Sequence, residues 1–418
     1  MKKLIYIVCI LTFICCTDKY NNTELLQEKE NNNYYIPKDS AIKIAVQAVS
    51  SLEKSIYKNT TRICTKREIK NIFVIQSLHQ TTRYNDINRI NTELYLINFK
   101  GNKGFALVSS DKRLQPIYAL SDSGSLNVLD TINNKGLAMF FNGVYRDILY
   151  TSSTKVPKHY YLNGCHYLLG AQVPPLIQYN TRKWGQKPPY NKYCFTEQGD
   201  SALVGCVAVA TGMVMSYYKW PTDINNTHIN WLVLNNGQNI DPIAKFLNLL
   251  GNKQLLDMQY GIFASEANVQ NIYQTFEKLG YYRPKDIIDF NSDIICQQLT
   301  TAYKQGASNS TGAGPILVYG ENNKNKNGHL WVIDGYAENV EIDNDYTMYF
   351  TLFHCNWGWN GRNNGYFYLK DNTLGDQYVF KDIDDKKYDD EQNNNNYQRL
   401  KIIYAFRKNY QTNGKVNF

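Results

Sequence analysis

The sequence has little of what marks nucleic-acid-binding, zinc-binding and disulfide-framework proteins. Only 20% of its 418 residues are charged, and its lysines and arginines are scattered, although the net charge is +8. It lacks a basic stripe with interleaved aromatic residues, so nucleic acid is not an expected partner. The nine cysteines include no Cys-x-x-Cys pair and show no tight spacing. This pattern argues against a structural zinc site and against a disulfide framework.

Long apolar runs are also scarce, and the most distinct one opens the chain. The stretch "MKKLIYIVCILTFICC" places two lysines before about a dozen apolar residues, too few to span a bilayer comfortably. Residues 1–16 therefore predict a signal peptide, and no later stretch predicts a transmembrane helix. The run stops at Cys15–Cys16, and a polar tether follows at residues 17–34.

This signal resembles that of bacterial lipoproteins. The resemblance implies a lipid on Cys16, with Cys15 as the second choice, and that lipid would be the only attachment to a membrane. Cleavage by an ordinary signal peptidase is the alternative. In both cases we expect an exported protein, located in the bacterial cell envelope (periplasmic or at the cell surface) or secreted after processing.

Apolar patterns divide the rest of the chain into two modules. Residues 35–150 predict a helix, several strands with a hairpin turn at Gly101–Asn102, and a second helix. Residues 151–175 are rich in Ser, Thr, Pro and Gly and have little periodicity, which is typical of a linker that proteases cut. Residues 176–418 carry helices first and strands later, an order that predicts an α+β fold.

Cys206 begins the apolar helix predicted at 206–219 and directly follows a glycine. At the first turn of a helix, unpaired backbone N–H groups and the helix dipole favour a thiolate and lower the pKa of a cysteine. Such a nucleophile needs a base, and the histidines that follow it are His228, His329 and His354. Only His329 opens a strand, where a rigid scaffold can present a catalytic side chain.

The segments 329–337 and 348–357 are predicted to pair as an antiparallel hairpin. Opposed residue numbers in such a pair have a constant sum, so the hairpin brings His329 close to Asn356 and Trp357. An asparagine beside the histidine can hold its ring by a hydrogen bond. A tryptophan can cover that bond from water. Two separate motifs therefore converge on one site.

Three stretches carry a family resemblance: "VGCVAVATGMVMSYYKWP", "GHLWVIDGY" and "HCNWGWNGRNNGYF". Over residues 173–410 the chain resembles the streptopain family of papain-like cysteine peptidases. The stretch "YLINFKGNKGFALVSSDKRLQPIYALSDSG" resembles that family's inhibitory propeptide. The resemblance implies a papain-like domain at 176–418, with a helical half and an antiparallel sheet half. It also implies a small α+β inhibitory prodomain at 35–150 and an activating cut at 151–175.

The resemblance further implies the roles of four residues. Cys206 is the nucleophile, and His329 is the base that later protonates the leaving amine. Asn356 orients His329, and Trp357 shields their contact. The substrates are then proteins or peptides, and the prodomain is an intramolecular inhibitor, so the implied product is an exported cysteine endopeptidase made as a zymogen.

Two more residues follow from the same resemblance. "KWGQKPPYN" supplies Gln186, whose amide would join the backbone N–H of Cys206 in the oxyanion hole. "YGIFASEANV" corresponds to the family's substrate cleft, with Ser265 as the substrate-binding residue. This chemistry needs no metal and no organic cofactor.

Two other classes of function stay open at this point. One is a tyrosine-rich surface binding protein on an inactive peptidase scaffold, for which Cys206 would show an ordinary thiol pKa. The other is a Cys–His acyltransferase or transglutaminase. Those enzymes generally use an aspartate as the third member, whereas this chain has Asn356 in that place.

Overall fold

The computed structural model describes residues 34–58, 67–75, 93–126, 134–153, 169–322, 328–339, 350–370 and 398–418. The predicted signal peptide with Cys16, nearly all of the tether and the middle of the linker lie outside these ranges. Across the ranges that are described, no helix combines the length and the apolarity that crossing a bilayer requires.

The N-terminal part is a helix packed on a four-stranded antiparallel sheet, followed by a second helix. Its elements are α1 (Lys38–Ile56), β1 (Ile69–Ile75), β2 (Leu94–Phe99), β3 (Phe105–Ser109), β4 (Ile117–Ser121) and α2 (Lys135–Ser153). A tight turn joins β2 to β3 at the predicted hairpin position. Helix α1 buries residues at helical spacing against this sheet, as predicted.

The C-terminal part opens with one strand, continues with helices and ends with strands. The helices are α3 (Cys206–Tyr218), α4 (Trp231–Asn236), α5 (Ile240–Leu250), α6 (Asn271–Lys278) and α7 (Ser292–Gln305). The strands are β5 (Leu169–Val173), β6 (Asp223–Ile224), β7 (Thr227–His228), β8 (Ile288–Asp289), β9 (Ile316–Asn322), β10 (Gly328–Asn339), β11 (Thr351–Asn356), β12 (Gly365–Phe367), β13 (Gln398–Ile403) and β14 (Lys415–Val416). The predicted α+β class is confirmed.

One antiparallel sheet runs through both parts of the chain. Its strand order is β1-β2-β3-β4-β12-β11-β10-β9-β13-β8, and β5 pairs with β10. The two parts join where β4 pairs with β12, which sets Ser121 opposite Gly365. A side chain at Gly365 would collide with the backbone of Leu120 and Ser121. The two predicted modules are therefore joined edge to edge rather than merely tethered.

Regular structure occupies both ends of the predicted linker. Helix α2 continues past residue 150, and β5 lies within the stretch assigned to the linker. The N–H groups of Leu169 and Ala171 donate to the hydroxyls of Ser51 and Ser55 on α1, at 2.9 and 2.7 Å. Since the backbone of β5 is paired on both sides, this end of the stretch assigned to the linker is a poor site for a protease.

The register of β10 against β11 decides where the site lies. Val332 lies opposite Asn356, within about three residues of the predicted register. The ladder shifts between Ile333 and Gly335, so Asp334 is the extra residue of a β-bulge. A bulge re-aims the side chain that it carries, and the Asp334 carboxylate lies against His354 and Asn356.

Side chains of β10 alternate between the two faces of the sheet. Leu330 and Val332 pack in the same core as α3, whereas Trp331 and Ile333 pack in the core that contains α2 and α7. The ring of His329 stacks on that of Trp331. The histidine therefore lies on the side of the sheet that meets α2 of the N-terminal part.

Candidate active site

Cys206 is the first residue of α3, as the sequence predicts. Gly205 precedes it with a φ of 91°, a conformation that glycine adopts far more readily than other residues. A side chain at this glycine would collide with Met258 and crowd Ser265. The glycine thus permits the sharp entry that sets a partly exposed cysteine on the first turn, where backbone N–H groups lack helical partners.

Burial raises the pKa of the Cys206 thiol above its ordinary value. Hydrogen bonding to the backbone of Leu330, the positive charge of Lys135 and nearby backbone N–H groups all lower this pKa but do not outweigh burial. The lowered pKa expected from the helix start is therefore wrong for this form of the chain. The reason is that neighbouring protein removes water from around the sulfur.

Burial also lowers the pKa of His329 to about 4, because its ring is only 2% exposed. The hydrogen bond to Trp357 acts in the opposite direction, and the charge of Lys135 lowers this pKa further. A thiol with a raised pKa and an imidazole with a lowered pKa are both neutral at pH 7. In this form burial therefore disfavours the charged thiolate that nucleophilic attack requires.

The first turn of α2, which belongs to the N-terminal part, covers His329. A Cβ atom added to Gly136 would lie 2.5 Å from Cε3 of Trp357 and 2.8 Å from Cδ2 of His329. The charge of neighbouring Lys135 acts on both Cys206 and His329. Contacts that short do not occur for real side chains, so position 136 accepts only glycine unless His329 and Trp357 move.

Trp357 holds His329 in place. The Nε2 atom of His329 lies 3.2 Å from the carbonyl oxygen of Trp357. The His329 ring stacks on Trp331 with 6.1 Å between centroids, and Trp331 lies 5.4 Å from Trp357. The Trp357 indole N–H donates to the carbonyl of Asn363 at 3.0 Å. The predicted meeting of His329 and Trp357 is thus found in the structure.

The side chain of Asn356 makes its hydrogen bonds away from His329. Its Nδ2 donates to Oδ1 of Asp334 at 2.8 Å, and its Oδ1 accepts from Nδ2 of Asn364 at 3.1 Å. In this form the acceptor beside His329 is a backbone carbonyl and not the asparagine amide. The orienting role that the resemblance gives to Asn356 stays a prediction.

Gln186 lies beside the entry to α3. Its carbonyl accepts the N–H of Val204 at 3.0 Å, which fixes it next to the turn before Cys206. The side chain is buried, and its Nε2 has no hydrogen-bond partner in the part of the chain that the structure describes. Buried amides are nearly always paired, and a developing oxyanion would supply the missing acceptor. This geometry suits the predicted oxyanion role.

Ser265 is buried under the same turn. Its hydroxyl donates to the carbonyl of Leu203 at 2.6 Å and accepts the N–H of Gly261 at 3.0 Å. These bonds tie the segment around Ser265 to the stretch that leads into Cys206. The predicted contact of Ser265 with substrate stays a prediction, and the bonds described here are internal.

A cluster of titratable side chains behind Asn356, in which His354 and Asp334 are buried, was not predicted from the sequence. His354 places Nδ1 2.6 Å from Asp334 and Nε2 2.9 Å from Asp122, and Arg182 lies 3.5 Å from the same Asp122 oxygen. Burial disfavours the charged imidazole, but the two carboxylates outweigh it, so the pKa of His354 is raised. Asp122 comes from the N-terminal part, so the cluster links both parts. The predicted hairpin register, which sets His354 close to Asp334, was the available signal.

Both parts of the chain match known protein families. Residues 184–239 and 223–367 match the Peptidase C10 family, and residues 33–148 match the Spi protease inhibitor family. Streptopain from Streptococcus pyogenes is 25% identical over 320 residues, which cover 66% of this chain and 74% of that protein. Thiol protease/hemagglutinin PrtT from Porphyromonas gingivalis is 24% identical over 322 residues. That match covers 66% of this chain and 34% of PrtT, so the chain spans about a third of this relative.

Two solved structures from Prevotella intermedia are also similar. A fragment of prointerpain A is 19% identical with a TM-score of 0.48, over 82% of this chain and 99% of that one. Active wild-type interpain A, described as a cysteine protease, is 20% identical with a TM-score of 0.36, over 56% of this chain and 95% of that one.

Proposed function

We propose that this chain, which belongs to the Peptidase C10 family over residues 184–367, is the zymogen of an exported cysteine endopeptidase. The two family matches confirm the resemblance to streptopain and its propeptide. The contact of Gly136 with His329 and Trp357 carries the proposal. An inhibitor domain seated there covers the catalytic pair and keeps both of its members neutral.

In the active form, Cys206 gives its proton to His329, and the thiolate sulfur attacks the carbonyl carbon of a peptide bond. The carbonyl oxygen becomes an oxyanion that accepts hydrogen bonds from the Cys206 N–H and the Gln186 amide. His329 then passes the proton to the leaving amine as the C–N bond breaks. A water molecule, deprotonated by His329, hydrolyses the thioester and releases the acid.

Activation removes the N-terminal part by a cut in residues 151–175, ahead of β5. Two observations support this position. The backbone of β5 is paired with β10 and α1, so it is a poor protease site. A cut before it also separates α2 from the peptidase domain, which exposes His329 to solvent and lets its pKa rise toward the ordinary range.

Export is part of the same proposal and is supported by the sequence of residues 1–16 and by the polar tether. A lipid on Cys16 would hold the precursor in the cell envelope until the cut releases the peptidase domain. An inhibitor attached to the chain suits export, because a free thiolate would attack other proteins of the cell on its way out.

Mass spectrometry of the full chain over time tests this proposal. We expect a purified precursor modified at Cys16 or trimmed of its signal, and its conversion to a chain of about 250 residues. Hydrolysis of an added peptide should rise with that conversion. A mature chain that begins before residue 140, or a precursor that is fully active while uncut, would contradict the zymogen.

The same samples decide between hydrolysis and acyl transfer. The peptide is supplied together with a free amine, and its products are weighed. Free acids are the expected products. Amide products in excess of acids would favour an acyltransferase. A chain that leaves the peptide intact after processing would favour a binding protein.

A further inference from the structure

The acceptor that holds His329 is a backbone carbonyl, and a carbonyl can orient a ring only if the residue that carries it is held in place. Trp357 supplies that carbonyl at 3.2 Å. The N–H of Trp357 donates to Oδ1 of Asn364 at 3.1 Å. A single side chain thus anchors the residue that carries the carbonyl facing His329.

Both ends of the Asn364 side-chain amide form hydrogen bonds. Besides accepting from Trp357, its Nδ2 donates to Oδ1 of Asn356 at 3.1 Å and to the carbonyl of Arg182 at 2.9 Å. The side chain is 4% exposed. Because a backbone N–H can only donate and a backbone carbonyl can only accept, the partners themselves fix which end of the amide is oxygen.

The side-chain amide of Asn356 is in turn oriented by Asp334. Its Nδ2 donates to Oδ1 of Asp334 at 2.8 Å. The other oxygen of Asp334 accepts the N–H of Ile177 at 2.9 Å, and Nδ1 of His354 lies 2.6 Å from Oδ1 of Asp334. A buried carboxylate held in this way gives Asn356 one orientation, and this orientation is passed on to Asn364.

We propose that Asn364 is a positioning residue for the peptidase reaction, acting by holding the backbone N–H of Trp357, the residue whose carbonyl orients His329. This inference rests on the proposed function. It also gives Asn356 a different task from the one implied by the resemblance, because Asn356 then acts through Asn364. The prediction is that loss of the Asn364 amide impairs the chemical step and leaves substrate binding nearly unchanged.

The test compares Asn364→Ala with wild type after identical processing by a tagged wild-type enzyme that is then removed. We expect kcat to fall about 10- to 100-fold, the cost of a small misplacement of a catalytic group, with KM nearly unchanged. The acid limb of the pH profile of kcat/KM should also move, because the environment of His329 changes. A merely structural residue would not move that limb.

Asn235→Ala is the matched control. Asn235 is also 4% exposed and its side chain bonds to the carbonyl of Ser216 and the hydroxyl of Thr181 at 3.2 and 2.9 Å. Asn235→Ala should lower the melting temperature by about as much as Asn364→Ala does. It should leave kcat and the pH profile of kcat/KM unchanged. If Asn364→Ala behaves like this control, the positioning role is wrong.

Asn364→Asp separates the three contacts. It keeps an oxygen for the Trp357 N–H and loses the donations to Asn356 and Arg182, so kcat should lie between those of wild type and Asn364→Ala. Where the alanine variant does not fold, the aspartate variant decides alone, since an unchanged kcat overturns the proposal. A wild-type chain without any peptidase activity would reject the proposed function itself, which is a separate outcome.

Discussion

Replacing Cys206 with alanine should reduce peptide hydrolysis by at least about 10⁴-fold, because no other group at this site can form the acyl intermediate. Cys206 is the first residue of α3, and α3 contacts β10, the strand that carries His329. Cys206→Ser should be nearly as inactive, since a hydroxyl does not ionise at neutral pH as a thiol beside a base does. Release of a fluorescent product from a short peptide measures both variants.

Cys194→Ala is the control for this loss. Cys194 is also a free cysteine, and it is fully buried, so its replacement removes a thiol without touching the pair. It should cost stability and leave kcat close to that of wild type. If Cys206→Ala kept more than a few per cent of the activity, or if Cys194→Ala lost it as completely, the nucleophile would have been misassigned.

Replacing Gly136 with leucine should make the uncut precursor active. A side chain at this position collides with His329 and Trp357, and overpacking of this kind costs about 1–3 kcal/mol. This cost destabilises only the state in which α2 lies against His329. The fraction of precursor molecules in which α2 has moved away should therefore rise about 5- to 150-fold. Peptide hydrolysis by intact chains, separated from processed ones before the assay, measures that rise.

Gly143→Leu supplies the comparison within the same helix. A side chain there meets no atom of the described residues within 4 Å, so the change adds the same bulk and the same helix propensity without a collision among them. The Gly143 variant should stay latent. Equal activation by both variants would mean that any added side chain on α2 activates the precursor. The contact of Gly136 with His329 and Trp357 would then not be what keeps the precursor latent.

The order of motifs along the chain was enough to predict where the candidate reacting groups lie in the fold. Cys206 begins the predicted helix, and the hairpin argument brings His329 to Trp357 without reference to structure. Both rest on short-range rules: helix dipoles act on the first turn, and antiparallel register follows from one turn. The α+β class was accessible for the same reason, since it depends on the order of elements.

The features that the sequence did not yield depend on packing between distant segments. The continuous sheet requires β4 to meet β12, and the two strands lie far apart in the chain. The His354 cluster also includes Asp122, which comes from the N-terminal part, and the hairpin register carries no information about that contact. The pKa of Cys206 reverses direction for a similar reason, because burial by the surrounding fold outweighs the local effect of the helix start.

The most direct test of the account is the pH dependence of Cys206 alkylation by iodoacetamide, measured on the precursor and the processed chain. The readout is the mass of the peptide that contains Cys206. Alkylation needs the thiolate, so a raised pKa moves the midpoint of the profile to higher pH. The precursor should react slowly at pH 7 and speed up only above the ordinary thiol pKa. The processed chain should react fast at pH 7 and slow down only in acid. Identical profiles in the two forms would contradict the claim that the N-terminal domain holds the Cys206–His329 pair in its latent state.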